Sequence, residues 1–140
     1  METGMIRAYL GLGTNLGDKE GNIAAAIEKI GELIGDVVRQ SALYHTKPWG
    51  FDSDNEFVNA AVAVDTALSP RELLAATQQI ERSMGRTEKS KDGVYHDRII
   101  DIDILLYGDK HVCEPDLVIP HPLMHERDFV MKPLGEIINV

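Results

Sequence analysis

The segment Asp101-Ile102-Asp103, inside the run RIIDIDILLY, carries the sharpest chemical signal in the sequence. Aspartate is a poor strand former, so two of them in an otherwise branched, apolar run need a reason. Side chains alternate along a strand, which puts Asp101 and Asp103 on one face and Ile100, Ile102, Ile104 and Leu106 on the other. Two carboxylates with Cβ atoms roughly 7 Å apart repel each other unless a cation sits between them. A hard divalent ion such as Mg²⁺ suits that gap, because it takes one or two carboxylates and completes its shell with substrate phosphates. The alternative is the acidic outer face of a half-solvated strand.

A second signal lies just upstream. Residues 82–98 carry Arg82, Arg86, Lys89, Lys91 and Arg98 against Glu88, Asp92 and Asp97, a local positive excess in a chain of net charge −9. On its own this is a solvated loop. Leading directly into Asp101 and Asp103, it has the composition of a clamp on a transferring phosphoryl group. The glycines of Gly11-Leu12-Gly13-Thr14-Asn15-Leu16-Gly17 fit neither the dinucleotide fingerprint nor a P-loop, and are read as a strand-to-helix turn. His121 and His125 are four apart, but Pro120 and Pro122 oppose a ligand-bearing helix between them, which argues against zinc. His121, held between two prolines, suits a contact to phosphate or base, or is simply a turn histidine. Phe57 and Asn59 share one strand face, where an amide can read a heterocycle's edge. Trp49 lies in the turn-rich KPWGFD, where it could cover a pocket.

The elements that position these residues follow from periodicity. Residues 6–12 form a short apolar run bounded by glycines, a buried strand. Asn15 and Asp18 are the possible N-caps of a helix whose Ile23, Ile27, Ile30 and Ile34 recur at steps of four, three and four, ending near Gly35. Residues 37–46 read as one second strand, and Phe57 with NAAVAVDT as a third. Ser69-Pro70-Arg71-Glu72 is a capping box opening a helix with Leu73, Thr77, Ile80 and Met84 on one face. Residues 99–107 make the best strand, followed by a Gly108-Asp109 turn and an extended segment to Pro120. The order is that of an α+β, ferredoxin-like βαββαβ antiparallel sheet with helices, plus a short C-terminal appendage.

A chain of 140 residues with 44% hydrophobic and 26% charged content is expected to form one soluble domain over 1–140. The acidic balance excludes a general nucleic-acid binder. The single Cys113 excludes an intramolecular disulfide. No apolar run is long enough to span a bilayer, and the start lacks a signal-peptide pattern, so a cytoplasmic protein is expected. From the residues alone, two classes stand: a metal-dependent phosphoryl-transfer enzyme or phosphoester hydrolase, and a ferredoxin-like regulatory module that binds a small ligand without catalysis.

Taken in order, YLGLGTNLGD, YHTKPWG, FVNAAV, QQIERSMGR, DRIIDIDILLYG and IPHPLMHERDFVMKPLGEI resemble the 6-hydroxymethyl-7,8-dihydropterin pyrophosphokinase family over nearly the whole chain. The resemblance implies pyrophosphate transfer from ATP to the pterin hydroxymethyl group, releasing AMP, in folate biosynthesis. It implies that Asp101 and Asp103 hold two Mg²⁺ ions, and that Arg86 and Arg98 contact the transferring phosphates. It implies that Phe57 and Phe129 sandwich the pterin, with Thr46, Asn59 and the main chain near Trp49 on its edges. Gln78, Glu81, Lys89, Ile104, His121 and Arg127 fall at nucleotide-binding positions, and the expected form is a monomer acting on these small molecules. Glu88 stands where the family often has a second arginine, and Pro122 where it often has an aromatic.

Overall fold

The computed structural model describes residues 4–46, 56–84, 99–122, 124 and 128–138. Strand β1 (Ile6–Thr14) leads into helix α1 (Lys19–Leu33), then β2 (Gly35–Gln40), β3 (Tyr44–Thr46) and β4 (Phe57–Thr66). Helix α2 (Pro70–Ser83), β5 (Asp101–Tyr107), a hairpin of β6 (Val112–Glu114) and β7 (Leu117–Ile119), and helix α3 (Asp128–Ile138) complete it. The main sheet runs β2-β4-β1-β5, with β3 beside the first part of β4, and every pair is antiparallel. This is the expected ferredoxin-like arrangement, with β4 in the place of the third strand and β5 in that of the fourth.

Local chemistry sets the helix starts. The Asp18 carboxylate accepts from Gly21 N–H at 3.1 Å, and Gly17, at φ +66°, makes the turn before it. The expected capping box is present: Glu72 N–H donates to Ser69 Oγ at 3.2 Å and Ser69 N–H to Glu72 Oε1 at 2.8 Å, with Pro70 in the first turn. Ile23, Ala26 and Ile30 of α1 and Leu73, Thr77 and Ile80 of α2 are buried on one face of the sheet. They pack with Ala8, Leu10 and Leu12, with Val58, Val62 and Val64, and with Ile102 and Ile104. Strand β4 is buried on both faces, so its other side, Ala61 and Ala63, joins Leu105 in a second apolar cluster under Val130, Leu134 and Ile137 of α3.

Four readings change. The strand expected over 37–46 is two, broken at residues 41–43. There Ser41 stands in for a ladder: its N–H donates to Ala61 O and its Oγ accepts from Ala61 N–H, each at 2.9 Å. The C-terminal appendage contains a full helix, α3, with Pro133 in its interior. That proline removes an interior backbone donor, and burial of Leu134 and Ile137 offsets the loss. Strand β1 runs on past Leu12 to Thr14, so Gly13 lies inside it, as Gly11 does, rather than in a turn. Finally, Tyr9 pairs with Leu106 and Leu10 with Ile104, so Leu105 is the extra residue of a β-bulge. Beyond it the alternation reverses: Ile102 and Ile104 face α1 and α2, while Leu105 and Leu106 face α3.

Candidate active site

Asp101 and Asp103 are half-buried on β5. Across the ladder Asp101 faces Gly13 and Asp103 faces Gly11, and on the far side of β1 Gly13 faces Asn59 and Gly11 faces Ala61. Directly opposed residues of antiparallel strands present their side chains to one face. One row therefore runs Asp101, Gly13, Asn59, Tyr44 across four strands, with Asp103, Gly11, Ala61 beside it. Two strand spacings, about 10 Å, separate the carboxylates from the Asn59 position. The strand between them carries no side chain in either row. The result is a ledge floored by bare backbone, with acid on one side and an amide and an aromatic ring on the other.

Gly13 is where that floor is tightest. A Cβ built there would lie 3.1 Å from Asn59 Oδ1 and 3.8 Å from Phe57 Cδ1, so the buried Asn59 amide and the half-buried Phe57 ring lean over the glycine. At Gly11 the nearest atoms to such a Cβ are Leu105 side-chain carbons, at 3.4–3.6 Å, an ordinary contact. These two glycines were missed as site residues. The available signal was their spacing: glycines at i and i+2 in a strand strip one face of side chains.

The outer edge of β5 gathers a second group. The Glu81 carboxylate, on α2, accepts from Ile102 N–H at 2.8 Å, between the two aspartates in sequence. His121 N–H donates to Leu105 O at 3.1 Å, which fixes the segment after β7, and its cis Ile119–Pro120 bond, beside the same strand. Gln78 is half-buried one turn before Glu81. Ile104 is buried in the α1–α2 core, on the face opposite the aspartates. The nucleotide-position residues Gln78, Glu81 and His121 thus lie along the edge of β5, and Phe57 and Asn59 across the sheet. Thr46 pairs with Phe57 on β3, and position 129 is in the first turn of α3. Arg86, Lys89, Arg98, Trp49 and Arg127 lie outside the described residues, as do the segments 47–55 and 85–98.

Away from this site, two sets of charge pairs brace the described part of the fold. Arg7 holds Asp65 with two hydrogen bonds, at 2.8 and 3.1 Å, keeping that carboxyl below and the guanidinium above their ordinary ranges. Arg71 joins Glu114 and Asp116, tying the start of α2 to the β6–β7 hairpin. Burial, with Glu72 adding to it, raises the Tyr107 hydroxyl, which donates to Leu68 O. Among the described residues no group of three or more His, Cys, Asp and Glu side chains gathers around one point. Asp101 and Asp103 alone are a donor set of two half-buried carboxylates, which fits a Mg²⁺ ion that keeps phosphate and water in its shell. No described helix is long and apolar enough to cross a membrane.

The family model for 7,8-dihydro-6-hydroxymethylpterin-pyrophosphokinase (HPPK) matches residues 9–139. The 2-amino-4-hydroxy-6-hydroxymethyldihydropteridine pyrophosphokinase of Porphyromonas gingivalis is 48% identical over 134 residues, covering 95% of this chain and 91% of its own. The Bacillus subtilis protein of the same name is 40% identical over 131 residues, covering 93% and 77%. Among solved structures, an HPPK-DHPS in complex with substrates superposes with a TM-score of 0.74 at 15% identity, covering 96% of this chain and 40% of that one. A Plasmodium falciparum HPPK-DHPS gives 0.71 at 18%, covering 96% and 38%. At such identities the likeness concerns the fold alone, and the chain spans about two fifths of those longer proteins.

Proposed function

The chain belongs to the 7,8-dihydro-6-hydroxymethylpterin-pyrophosphokinase family, and from that membership we infer a transferase that moves pyrophosphate from ATP to 6-hydroxymethyl-7,8-dihydropterin in folate biosynthesis. The observation that carries this is the family match over residues 9–139, which disfavours a non-catalytic ligand-binding module. The pterin hydroxyl attacks the β-phosphorus. An O–P bond forms, the bond from the β-phosphorus to the bridging oxygen breaks, AMP leaves, and the hydroxyl proton passes to solvent.

Within that reaction we assign Asp101 and Asp103 to hold two Mg²⁺ ions, which when bound would neutralise charge on the ATP phosphates. What supports this is the carboxylate pair on one face, at the edge of a bare backbone floor. Phe57 and Phe129 sandwich the pterin, and Asn59, Thr46 and the main chain near Trp49 bond its edges. Gln78, Glu81, Lys89, His121 and Arg127 take the nucleotide, with Ile104, whose side chain is in the core, contributing its main chain. Arg86 and Arg98 meet the transferring phosphates, where cations stabilise charge as it develops. We assign no strong general base; holding the hydroxyl in line and the charge in place does the catalysis. We further propose that residues 1–140 act as one monomeric catalytic domain in the cytoplasm. Calorimetric titration with an ATP analogue resistant to α,β cleavage tests the metal assignment. Binding is expected with Mg²⁺ and lost when the ion is chelated; equal binding in both conditions would contradict it.

A further inference from the structure

Between β2 and β3 the chain leaves one ladder on β4 and rejoins it nearer the Phe57 end. At residues 41–43 the backbone belongs to neither strand, and side chains take over part of its hydrogen bonding. Ser41 does so within the sheet, accepting from Ala61 N–H and donating to Ala42 O at 2.8 Å. The Ala42 N–H reaches outside the sheet, donating to Glu136 Oε1 at 2.9 Å. Glu136 sits near the end of α3, seven residues, about two turns, beyond position 129. Helix α3 is itself seated on the sheet by Val130, Leu134 and Ile137. The bond thus ties the helix bearing position 129 to the connection that aims β3, and with it Thr46, at the sheet.

We infer that Glu136 is a positioning residue for the pterin half of the site, acting through Ala42 N–H to fix β3 relative to α3. This rests on the assignment of Thr46 and Phe129 to the pterin. Ser41 fixes the start of this turn on Ala61, and the Ala42 N–H, which faces no neighbouring strand, takes the Glu136 carboxylate, so this bond is what joins the turn to α3. The nucleotide half, carried by α2 and the edge of β5, has no part in the bond.

The experiment compares steady-state kinetics of the full chain with those of Glu136→Ala and Glu136→Gln. Loss of one hydrogen bond to a charged acceptor is expected to raise KM for the pterin about fivefold in Glu136→Ala, with KM for ATP and kcat within about twofold. Glu136→Gln keeps a carbonyl oxygen to accept from Ala42 N–H and is expected to stay close to wild type. A purely structural role would instead lower Tm and move both KM values together. An unchanged pterin KM in Glu136→Ala, a parallel rise in KM for ATP, or a Gln variant as impaired as the Ala variant would overturn the role of Glu136. Failure of the wild-type chain to turn over the pterin would instead overturn the functional reading, and this role with it.

Discussion

The two faces of the sheet come from the same strands and are filled in opposite ways. Toward α1 and α2, β1 presents Ala8, Leu10 and Leu12, β4 presents Val58, Ala60, Val62 and Val64, and β5 presents Ile102 and Ile104, all buried. Toward α3, β1 presents Arg7, Tyr9, Gly11 and Gly13. Helix α3 covers the middle of that face, over Ala61, Ala63 and Leu105. One end is closed by the Arg7–Asp65 pair and the other holds the ledge between Asp103 and Asn59. Apolar burial stabilises the first face. The second gives up some of that burial: glycines and carboxylates contribute little to a core but leave backbone and charge where a ligand can meet them. Stability and chemistry are therefore expected to separate by face, even between residues adjacent on one strand.

The widest split is expected between Asp103→Asn and Leu10→Ala. Asp103→Asn should lower kcat by about 10²–10³-fold, the usual cost of losing one electrostatic group at a transferring charge, with Tm unchanged. Leu10→Ala should cost about 2–5 kcal/mol of stability by opening a cavity, with kcat per folded molecule intact. Kinetics and urea denaturation on both variants would show it, and a Tm loss in Asp103→Asn would break the separation. A finer contrast lies within β1. Gly13→Ala pushes on Asn59 Oδ1 and is expected to raise KM for the pterin on the order of tenfold, since small displacements of positioning groups are costly. Gly11→Ala, whose nearest neighbours are Leu105 carbons at ordinary contact distance, should pass nearly unnoticed.

The smallest effect belongs to the closed end. Asp65→Asn should cost less than about 1 kcal/mol at neutral pH, as expected for an exposed pair. Arg7 lowers the Asp65 pKa, so the pair's contribution is present above the unfolded carboxyl value, about 3.9, and fades as pH falls through the lower folded value. Urea midpoints of wild type and Asp65→Asn should differ slightly at pH 7 and converge in strong acid.

Much of this division was legible beforehand. The capping box at Ser69 and the isoleucine spacing of α1 depend only on neighbours along the chain, and both stand as read. The shared faces of Asp101 with Asp103 and of Phe57 with Asn59 follow from a period of two. Their meeting on one face of the sheet does not, because register between strands distant in sequence is set by packing. The bulge at Leu105 was hidden for a related reason. In ILLY every residue is apolar, so nothing marks where the alternation reverses. The C-terminal segment reads in the sequence only as an appendage; α3 has a proline in its interior and is held by burial against the sheet, and with α3 went Glu136. Ser41 carried no signal at all, since a serine that replaces a ladder looks like any other in the sequence.

The central claim is that the ledge directs the pterin hydroxyl to the β-phosphorus of ATP. Phosphorus NMR of the protein with ATP, Mg²⁺ and 6-hydroxymethyl-7,8-dihydropterin tests it directly. The prediction is AMP and a pterin diphosphate in equal amounts, with both signals nearly abolished in Asp103→Asn. Release of ADP or inorganic phosphate in place of AMP, or an Asp103→Asn variant as active as wild type, would contradict it.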